Sequence, residues 1–229
     1  IRAKAVFLRQ KEHEPDCICE GTDMDRTSIT MIDYGASNIR SAQKAFEAVG
    51  ADVTLTSDPE AVRKGTKLVL PGVGAFGAGM NALRDRGLDS AVCEAVSRGI
   101  PLLGICLGMQ FLFEESDEMG RHFGLGLVPG QVTRFDLADE QLKVPHMGWN
   151  QVEHDETHPL LRAVPSGSHT YFVHSYYCIP TEEENVVAQT HYGGPFVSIV
   201  SRNTVHGIQF HPEKSHSAGT RLLLNFAGL

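Results

Sequence analysis

The apolar positions between residues 28 and 130 follow two alternating spacings. Apolar runs that are too short for buried helices predict buried strands at 29–32, 53–55, 68–70 and 100–106. Between these runs, apolar residues recur at every third or fourth position, which predicts helices over 39–49 and 88–96. This alternation favours a parallel sheet that is covered by helices on both faces and binds ligands at the carboxyl ends of its strands.

After residue 130 the pattern changes to strands with few helices between them. The predicted strands are 131–135, 149–152, 171–177, 186–190, 196–201 and 205–210. Only short polar, Gly- or Pro-containing segments separate them, so we expect mixed or antiparallel additions to the same sheet. We expect a last helix, with Leu222, Leu223 and Phe226 on its apolar face, to pack against the sheet. The predicted fold is α/β: a single domain over residues 28–229 with a mostly parallel central sheet, helices on both faces and added antiparallel strands in the C-terminal half.

Composition limits the class of protein without deciding it. The chain has 229 residues, of which 41% are hydrophobic and 21% charged, enough for one sizeable core. Its formal net charge of −8 argues against nucleic-acid binding, which needs a concentrated basic surface. No apolar run reaches the roughly 18 residues that a membrane-spanning helix needs. The five cysteines are odd in number, lack metal-site spacing and follow no secretory signal, which favours a reducing cytoplasm.

Residues 1–27 do not fit the alternation that follows them. They hold too many acidic residues for a transit peptide and carry no sustained apolar period, so they cannot bury enough surface to offset the cost of ordering. We expect an N-terminal extension that is disordered or loosely attached. Cys17 and Cys19 could indicate metal or redox chemistry, but no second cysteine pair accompanies them and the spacing is not Cys-x-x-Cys.

The strand predicted at 100–106 ends in a cysteine that is placed as a nucleophile. Apolar residues restart at helical spacing soon after Cys106, with Gly104 and Gly108 two residues to either side. Glycines at these positions leave room for a strained strand-to-helix turn. The N-terminal end of the following helix favours a thiolate, and the N–H of Leu107 is free to face an oxyanion. The alternative is a small buried apolar cysteine, which the two glycines make less favourable.

A general base and a glycine loop lie at two other predicted strand ends. His211 follows the strand at 205–210, and Pro212 ends that strand and turns Glu213 back toward the imidazole. A thiol nucleophile requires such a pair, because the base takes the thiol proton and later protonates a leaving amine. Residues 71–74, Pro-Gly-Val-Gly, follow another predicted strand, and their glycines let backbone N–H groups approach a ligand closely.

Together these segments resemble the class I glutamine amidotransferases, in which Gly-x-Cys-x-Gly-x-Gln and His-Pro-Glu occur in this order in one domain. In this chain the two motifs are residues 104–110 and 211–213. The resemblance covers residues 28–229. Three further segments, together with the Pro-Gly-Val-Gly loop, narrow the resemblance to the glutaminase subunits of imidazole glycerol phosphate synthases: residues 32–38, 145–150 and 171–176.

The resemblance implies a glutaminase with a Cys-His-Glu triad. The Cys106 thiolate would attack the side-chain amide of glutamine, His211 would protonate the departing ammonia, and Glu213 would orient His211. The backbone N–H groups of Val73 and Leu107 would form the oxyanion hole. The substrate-binding residues implied by the resemblance are Gly72, Gly74, Gln110, His174, Ser175 and Tyr176. The residues implied at a partner interface are Asn38, Trp149, Tyr171 and Lys214.

Spacing alone leaves some of these roles open. Gln110 lies one helical turn beyond Cys106 and can face the same pocket, with a solvent-facing helix position as the alternative. His174, Ser175 and Tyr176 end an aromatic strand and would otherwise be ordinary sheet residues, so only the resemblance assigns them to substrate binding. The eleven histidines show no metal-ligand spacing, and amide hydrolysis through a thioester needs no metal. We therefore expect neither a metal nor another cofactor.

The implied partner is the cyclase subunit of the synthase, in a heterodimer that channels ammonia to imidazole ring formation in histidine biosynthesis. Two alternatives stay open: a class I amidotransferase that serves another acceptor, and a non-catalytic regulatory subunit with the same fold. Release of ammonia from glutamine would show an enzyme and exclude the non-catalytic regulatory subunit. We also expect the partner to switch the glutaminase on, because Gly72 and Gly74 let the Val73 peptide rotate toward or away from the oxyanion.

Overall fold

The computed structural model describes residues 26–137, 141–155 and 157–229. Residues 1–25, with Cys17 and Cys19, lie outside this part of the chain, so the predicted extension stays a prediction. In chain order the strands are β1 (Ser28–Ile32), β2 (Asp52–Thr56), β3 (Leu68–Gly72), β4 (Leu102–Cys106), β5 (Glu115–Ser116), β6 (His122–Phe123), β7 (Gly130–Arg134), β8 (His146–Val152), β9 (Ser168–His174), β10 (Tyr176–Pro180), β11 (Val186–His191), β12 (Pro195–Arg202) and β13 (Val205–Ile208). The α-helices are α1 (Ile39–Ala48), α2 (Pro59–Lys64), α3 (Phe76–Asp85), α4 (Leu88–Ser97), α5 (Leu107–Phe111) and α6 (His216–Ala227).

One large sheet forms the centre of the fold. Its strand order is β2-β1-β3-β4-β13-β12-β10-β7-β5-β6, with β11 paired to β12. The first five strands of this order pair in parallel. The strands that follow are largely antiparallel, since β12 pairs in this way with β13, β10 and β11. The predicted α/β fold, with a parallel N-terminal half and antiparallel additions, is confirmed.

Helices cover both faces of the sheet because successive strand residues point to opposite sides. In β4, Leu103 and Ile105 belong to one apolar core, whereas Leu102 belongs to the other. The first core also holds Phe46 of α1 and Phe226 of α6, and the second holds the apolar faces of α3 and α4. Each fully buried aliphatic side chain contributes about 1.5–3 kcal/mol, so the central strands form a firm frame for the loops at their carboxyl ends.

Two helices, α2 and α3, were missing from the sequence prediction. α3 contains Gly77 and Gly79, and glycine is a poor helix former, which hides the helical pattern. Packing explains Gly79, because a Cβ atom there would overlap the ring of Phe111 in α5. Among the helices of the described residues, none has both the length and the apolar character needed to cross a membrane.

The sequence prediction was also wrong for the strands around Ser175. Residues 171–177 do not form one strand, because β9 ends at His174 and β10 begins at Tyr176. The break has a local cause: the His174 Nδ1–H donates to the Tyr176 carbonyl at 2.8 Å and holds a turn at Ser175. As a result β9 pairs with β8 in a separate two-stranded sheet, and these two strands are not additions to the main sheet.

Candidate active site

Cys106 occupies a strained turn between β4 and α5. Its φ and ψ are 55° and −110°, a conformation that residues with a side chain rarely adopt. β3 pairs with β4 so that Gly72 lies directly opposite Cys106. α5 begins at Leu107, and the first N–H groups of a helix have no acceptor within it. The strand-to-helix turn predicted from the sequence is therefore present.

Close backbone packing explains the two glycines beside this turn. A Cβ atom on Gly104 would lie 2.5 Å from the carbonyl oxygen of Gly108. A Cβ atom on Gly108 would overlap the carbonyl oxygen of Leu70 in the neighbouring strand β3. Because both obstacles are backbone atoms held in the sheet and in α5, neither can move aside as a flexible side chain could.

Replacing Gly108 with alanine is expected to destabilise the domain, because the new methyl group would push against β3. Overpacking of this kind costs about 1–3 kcal/mol, which lowers the Tm by roughly 2–12 °C in a domain of this size. Thermal unfolding measures the effect. Gly194→Ala is the matched control, because a Cβ atom on Gly194 meets no atom within 4 Å. Equal Tm values for the two variants would contradict the packing described for the turn.

His211 and Glu213 form a buried pair beyond the end of β13. β13 lies beside β4, with Ile208 opposite Ile105, so the chain that continues from β13 emerges next to Cys106. His211 Nδ1 and Glu213 Oε1 are 2.8 Å apart, and the two side chains are 3% and 5% exposed. A carboxylate oxygen only accepts hydrogen bonds, so Nδ1 carries a hydrogen and Nε2 is the nitrogen available to the thiol.

Backbone hydrogen bonds hold His211 in place. Its N–H donates to the Tyr171 carbonyl at 2.9 Å. Its own carbonyl accepts from Ser215 Oγ at 2.6 Å, and the same hydroxyl oxygen accepts from the Tyr171 N–H at 3.0 Å. One buried hydroxyl therefore links β9 to the turn that carries the base. As predicted, Pro212 begins a 3₁₀ turn, Pro212–Lys214, that brings Glu213 back to the imidazole.

The groups around His211 favour its protonated form. Burial lowers the pKa of His211, but its interactions with Cys106 and with Glu213 outweigh burial and raise the pKa to about 10. Among the described residues, Nε2 is buried and makes no hydrogen bond, and Cys106 is a neighbour whose interaction raises the pKa of His211. The Cys106 sulfur is thus the group that Nε2 can serve, and a protonated His211 is ready to give a proton to a leaving amine.

A cavity of about 320 Å³ gives a small molecule access to Cys106. It brings together most of the residues predicted for catalysis and substrate binding: Val73, Gly74, Cys106, Leu107, Gln110, His174, Ser175, Tyr176 and His211. Glu118, Pro145 and Val173 complete its lining. Gly72 does not line this cavity and instead borders a small adjoining recess with Val73, His211 and Glu213.

The peptide of Val73 lies between the cavity and Tyr34. The Tyr34 hydroxyl is close to the glycine loop, since a Cβ atom on Gly72 would lie 2.8 Å from it. Burial raises the pKa of Tyr34, and an interaction with the backbone N–H of Val73 acts in the opposite direction. The Val73 N–H thus lies near the Tyr34 hydroxyl, which makes no hydrogen bond within the described residues.

A chain of amide side chains joins the cavity wall to the thiol. Gln110 is 5% exposed, so the alternative of a solvent-facing helix position is wrong. Its Nε2 donates to the Tyr176 carbonyl at 3.0 Å and to Gln209 Oε1 at 3.1 Å. Gln209 Nε2 in turn donates to Cys106 Sγ at 3.8 Å. Sequence analysis missed Gln209, although a polar residue between two core residues, just before His211, was a signal that could have found it.

His174 and His146 are neutral and buried behind this wall. Burial lowers the pKa of His174 to about 3 and that of His146 to about 4. Because His174 Nδ1–H donates to the Tyr176 carbonyl, its Nε2 accepts from His146 Nδ1–H at 3.1 Å. His146 Nε2 then accepts from Asn150 Nδ2–H at 3.3 Å. In the described part of the chain, no group of three or more His, Cys, Asp or Glu residues is arranged to hold a metal ion.

Glu118 is a carboxylate of the cavity wall that sequence analysis also missed. Its Oε2 accepts from the N–H of Phe76, the first residue of α3, at 2.6 Å. The hydrogen bond holds Glu118 at the rim of the cavity. Glu118 stands in the acidic segment 114–118, in which no spacing distinguishes one carboxylate from the next, so only the fold selects it.

Three of the four residues predicted at a partner interface form one surface patch. The ring centroids of Trp149 and Tyr171 are 6.0 Å apart, and Lys214 Nζ lies 5.4 Å from the centroid of the Tyr171 ring. Trp149 also stacks on His216 at 4.7 Å and is 45% exposed. Asn38 is exposed at the start of α1 and borders the recess beside Glu213. The predicted interface residues thus lie near His211 and Glu213.

One protein family matches nearly the whole of the predicted domain. The family profile described as glutamine amidotransferase class-I matches residues 30–228. A curated relative from Salinibacter ruber, named imidazole glycerol phosphate synthase subunit HisH, is 50% identical over 204 residues, which are 87% of this chain and 94% of that protein. A relative of the same name from Syntrophotalea carbinolica is 48% identical over 205 residues, covering 88% of this chain and 100% of that protein.

Solved structures with low sequence identity share the fold. One described as a crystal structure of glutamine amidotransferase has a TM-score of 0.68 at 20% identity and covers 88% of this chain and 99% of its own. The structure of PurLQS from Thermotoga maritima has a TM-score of 0.68 at 19% identity, covering 89% of this chain and 98% of its own. At these identities the likeness concerns the fold alone.

Proposed function

Because this chain belongs to the class-I glutamine amidotransferases, we propose that it is the glutaminase subunit of an imidazole glycerol phosphate synthase. It hydrolyses glutamine to glutamate and ammonia. The ammonia passes to a cyclase subunit, which uses it to close the imidazole ring in histidine biosynthesis. The runner-up, a class I amidotransferase for another acceptor, is less well supported because the two curated relatives described above carry the synthase name.

The observation that carries this proposal is the arrangement of Cys106, His211 and Glu213 at one cavity. The 2.8 Å contact between His211 and Glu213 sets the tautomer that leaves Nε2 to the thiol. The cavity lets a small substrate reach the sulfur. A regulatory subunit without chemistry would not need a cysteine in a strained turn, so the geometry supports an active enzyme.

In the first half-reaction the Cys106 thiolate attacks the side-chain carbonyl carbon of glutamine. A C–S bond forms, and the carbonyl oxygen becomes an oxyanion that accepts from the N–H groups of Leu107 and Val73. Collapse of this intermediate breaks the C–N bond, and His211 supplies the proton with which ammonia leaves. The result is a glutamyl thioester on Cys106 and a neutral His211.

In the second half-reaction water replaces the sulfur. Neutral His211 takes a proton from the water as its oxygen attacks the thioester carbon, and the C–S bond then breaks. Glutamate leaves, and the thiolate and imidazolium are restored. Glu213 keeps the hydrogen on Nδ1 during both half-reactions, so each proton moves through Nε2.

The cavity wall offers groups for the amino-acid part of glutamine. The Glu118 carboxylate supplies a negative charge for the α-ammonium group. Gln110 uses its Nε2 for the Tyr176 carbonyl and Gln209, so its Oε1 is the atom that can accept from substrate. The turn at Ser175, fixed by the neutral His174, presents backbone groups to the same space.

The surface patch of Trp149, Tyr171 and Lys214 suits the docking of the cyclase subunit. Exposed aromatic rings beside a cation are typical of the central residues of protein interfaces. The Tyr171 carbonyl accepts from the N–H of His211, so a shift of β9 on docking reaches the catalytic base through one hydrogen bond.

Labelling with a glutamine analogue that carries an electrophile in place of the amide tests the proposal. We expect the adduct at Cys106, mapped by mass spectrometry, and protection by glutamine, because among the three cysteines of the described residues Cys106 alone lines the cavity together with His211. Glutamine-dependent ring formation with the cyclase subunit tests the acceptor. An adduct mainly at Cys93 or Cys178 would refute the glutaminase, and ammonia release that no cyclase can use would favour another acceptor.

A further inference from the structure

Gln209 is a buried polar residue that the two half-reactions do not use. It lies between Ile208, the last residue of β13, and Phe210, and it is 0% exposed. Its backbone N–H donates to the Ser198 carbonyl at 2.9 Å, which continues the pairing with β12. A buried primary amide is costly unless its donors and its acceptor find partners. The partners of this amide lie at the active site.

The orientation of the Gln209 amide follows from its neighbours. The Tyr176 carbonyl oxygen can only accept, so the Gln110 atom 3.0 Å away must be the NH₂ group. The same NH₂ group lies 3.1 Å from Gln209, which must present its oxygen there. The Gln209 NH₂ group is thereby directed at the Cys106 sulfur, at 3.8 Å. The network therefore decides which amide atom is oxygen and which is nitrogen.

We propose that Gln209 is a further catalytic residue: its side-chain NH₂ group donates a hydrogen bond to Cys106 Sγ and stabilises the thiolate, while Gln110 positions the amide. The proposal rests on the glutaminase function proposed above. The contact with sulfur, however, can be measured without glutamine. A hydrogen bond to an ionised acceptor is roughly twice as strong as one between neutral groups, so this donor favours the reactive form of the thiol.

A second donor to the sulfur has a clear use in this site. α5 has five residues, Leu107–Phe111, so few peptide dipoles align behind the thiolate. His211 is a donor only while it is protonated, and it loses that proton when ammonia leaves. Gln209 cannot be deprotonated under these conditions, so it still donates to sulfur when the thiolate is expelled from the thioester.

The test compares the wild-type chain with Gln209→Met, which keeps the length of the side chain but has no N–H donor. The rate of Cys106 alkylation by iodoacetamide is measured against pH, with the Cys106 adduct quantified by mass spectrometry. Loss of one hydrogen bond to a charged acceptor should move the midpoint of the profile upward by about one to two pH units. At neutral pH the rate should fall roughly 10- to 100-fold.

Asn225→Leu is the control for a merely structural effect. Asn225 is also a buried amide, and its Nδ2 donates at 2.8 Å to the carbonyls of Leu160 and Arg162. This variant should lower the Tm and leave the alkylation profile of Cys106 unchanged. An unchanged profile in Gln209→Met, or an equal shift in Asn225→Leu, would overturn the proposal.

Gln209→Glu keeps the shape of the side chain, and its alkylation profile is measured if Gln209→Met does not fold. It replaces the donor by a carboxylate oxygen, so the midpoint should rise at least as far, and a profile like that of the wild type would again overturn the proposal. With glutamine, kcat should fall roughly 10- to 100-fold while KM changes little. If the wild-type complex with the cyclase subunit does not turn over glutamine but the alkylation shift is present, the proposed function fails and the role of Gln209 stands.

Discussion

Replacing Cys106 with alanine is expected to abolish glutamine-dependent synthesis by the complex with the cyclase subunit, while synthesis from added ammonium continues. Removing the nucleophile of a hydrolytic triad lowers kcat on the order of a millionfold. The cyclase reaction is expected to persist because it uses ammonia from either source. Product formation with glutamine, and separately with ammonium, measures both activities in one preparation.

Cys93→Ser is the matched control for this experiment. Cys93 lies on α4 and is half-buried, away from the residues that line the cavity. The serine variant should retain both activities. If Cys106→Ala removed the ammonium-dependent activity as well, the division of labour between the two subunits would be wrong.

The isolated chain is expected to turn over glutamine slowly, and the cyclase subunit is expected to raise its kcat by roughly 100- to 1,000-fold. One missing oxyanion donor costs about 3–4 kcal/mol, which corresponds to a change of this size. The Val73 N–H lies near the Tyr34 hydroxyl, and we expect it to be the donor that docking turns toward the oxyanion. Gly74, at φ 103°, gives the peptide the freedom to rotate. The contact between His211 and Glu213 is already formed without a partner.

Tyr34→Phe separates this switch from a general effect of docking. It removes the hydroxyl that lies near the Val73 N–H, and this hydroxyl makes no hydrogen bond within the described residues. The variant should therefore raise the rate of the isolated chain and reduce the stimulation by the cyclase. The measurements are kcat for the isolated chain, for the complex and for the complex with acceptor bound. Full activity of the isolated wild-type chain would rule out the switch.

The sequence alone was enough to predict the local turns and reactive side chains at the strand ends. The spacing of Gly104, Cys106 and Gly108 describes a local turn, and local geometry is set by neighbouring residues. The turn at Pro212, which brings Glu213 back to His211, is likewise set by neighbouring residues. Alternation of strands and helices predicted a parallel sheet, whose carboxyl ends meet at one edge. These two kinds of information were enough to bring the cysteine and the base together.

Only the tertiary structure decided which polar side chains surround that chemistry. Gln110 and Gln209 are 99 positions apart, and their hydrogen bond leaves no periodic trace in the sequence. Glu118 is held at the cavity by the N–H of Phe76, the first residue of α3. The glycines of α3 hid this helix from the sequence prediction. The strand predicted through Ser175 is divided by a side-chain hydrogen bond, which apolar periodicity does not report. Such contacts depend on packing between distant segments, so they become visible only when the sheet is assembled.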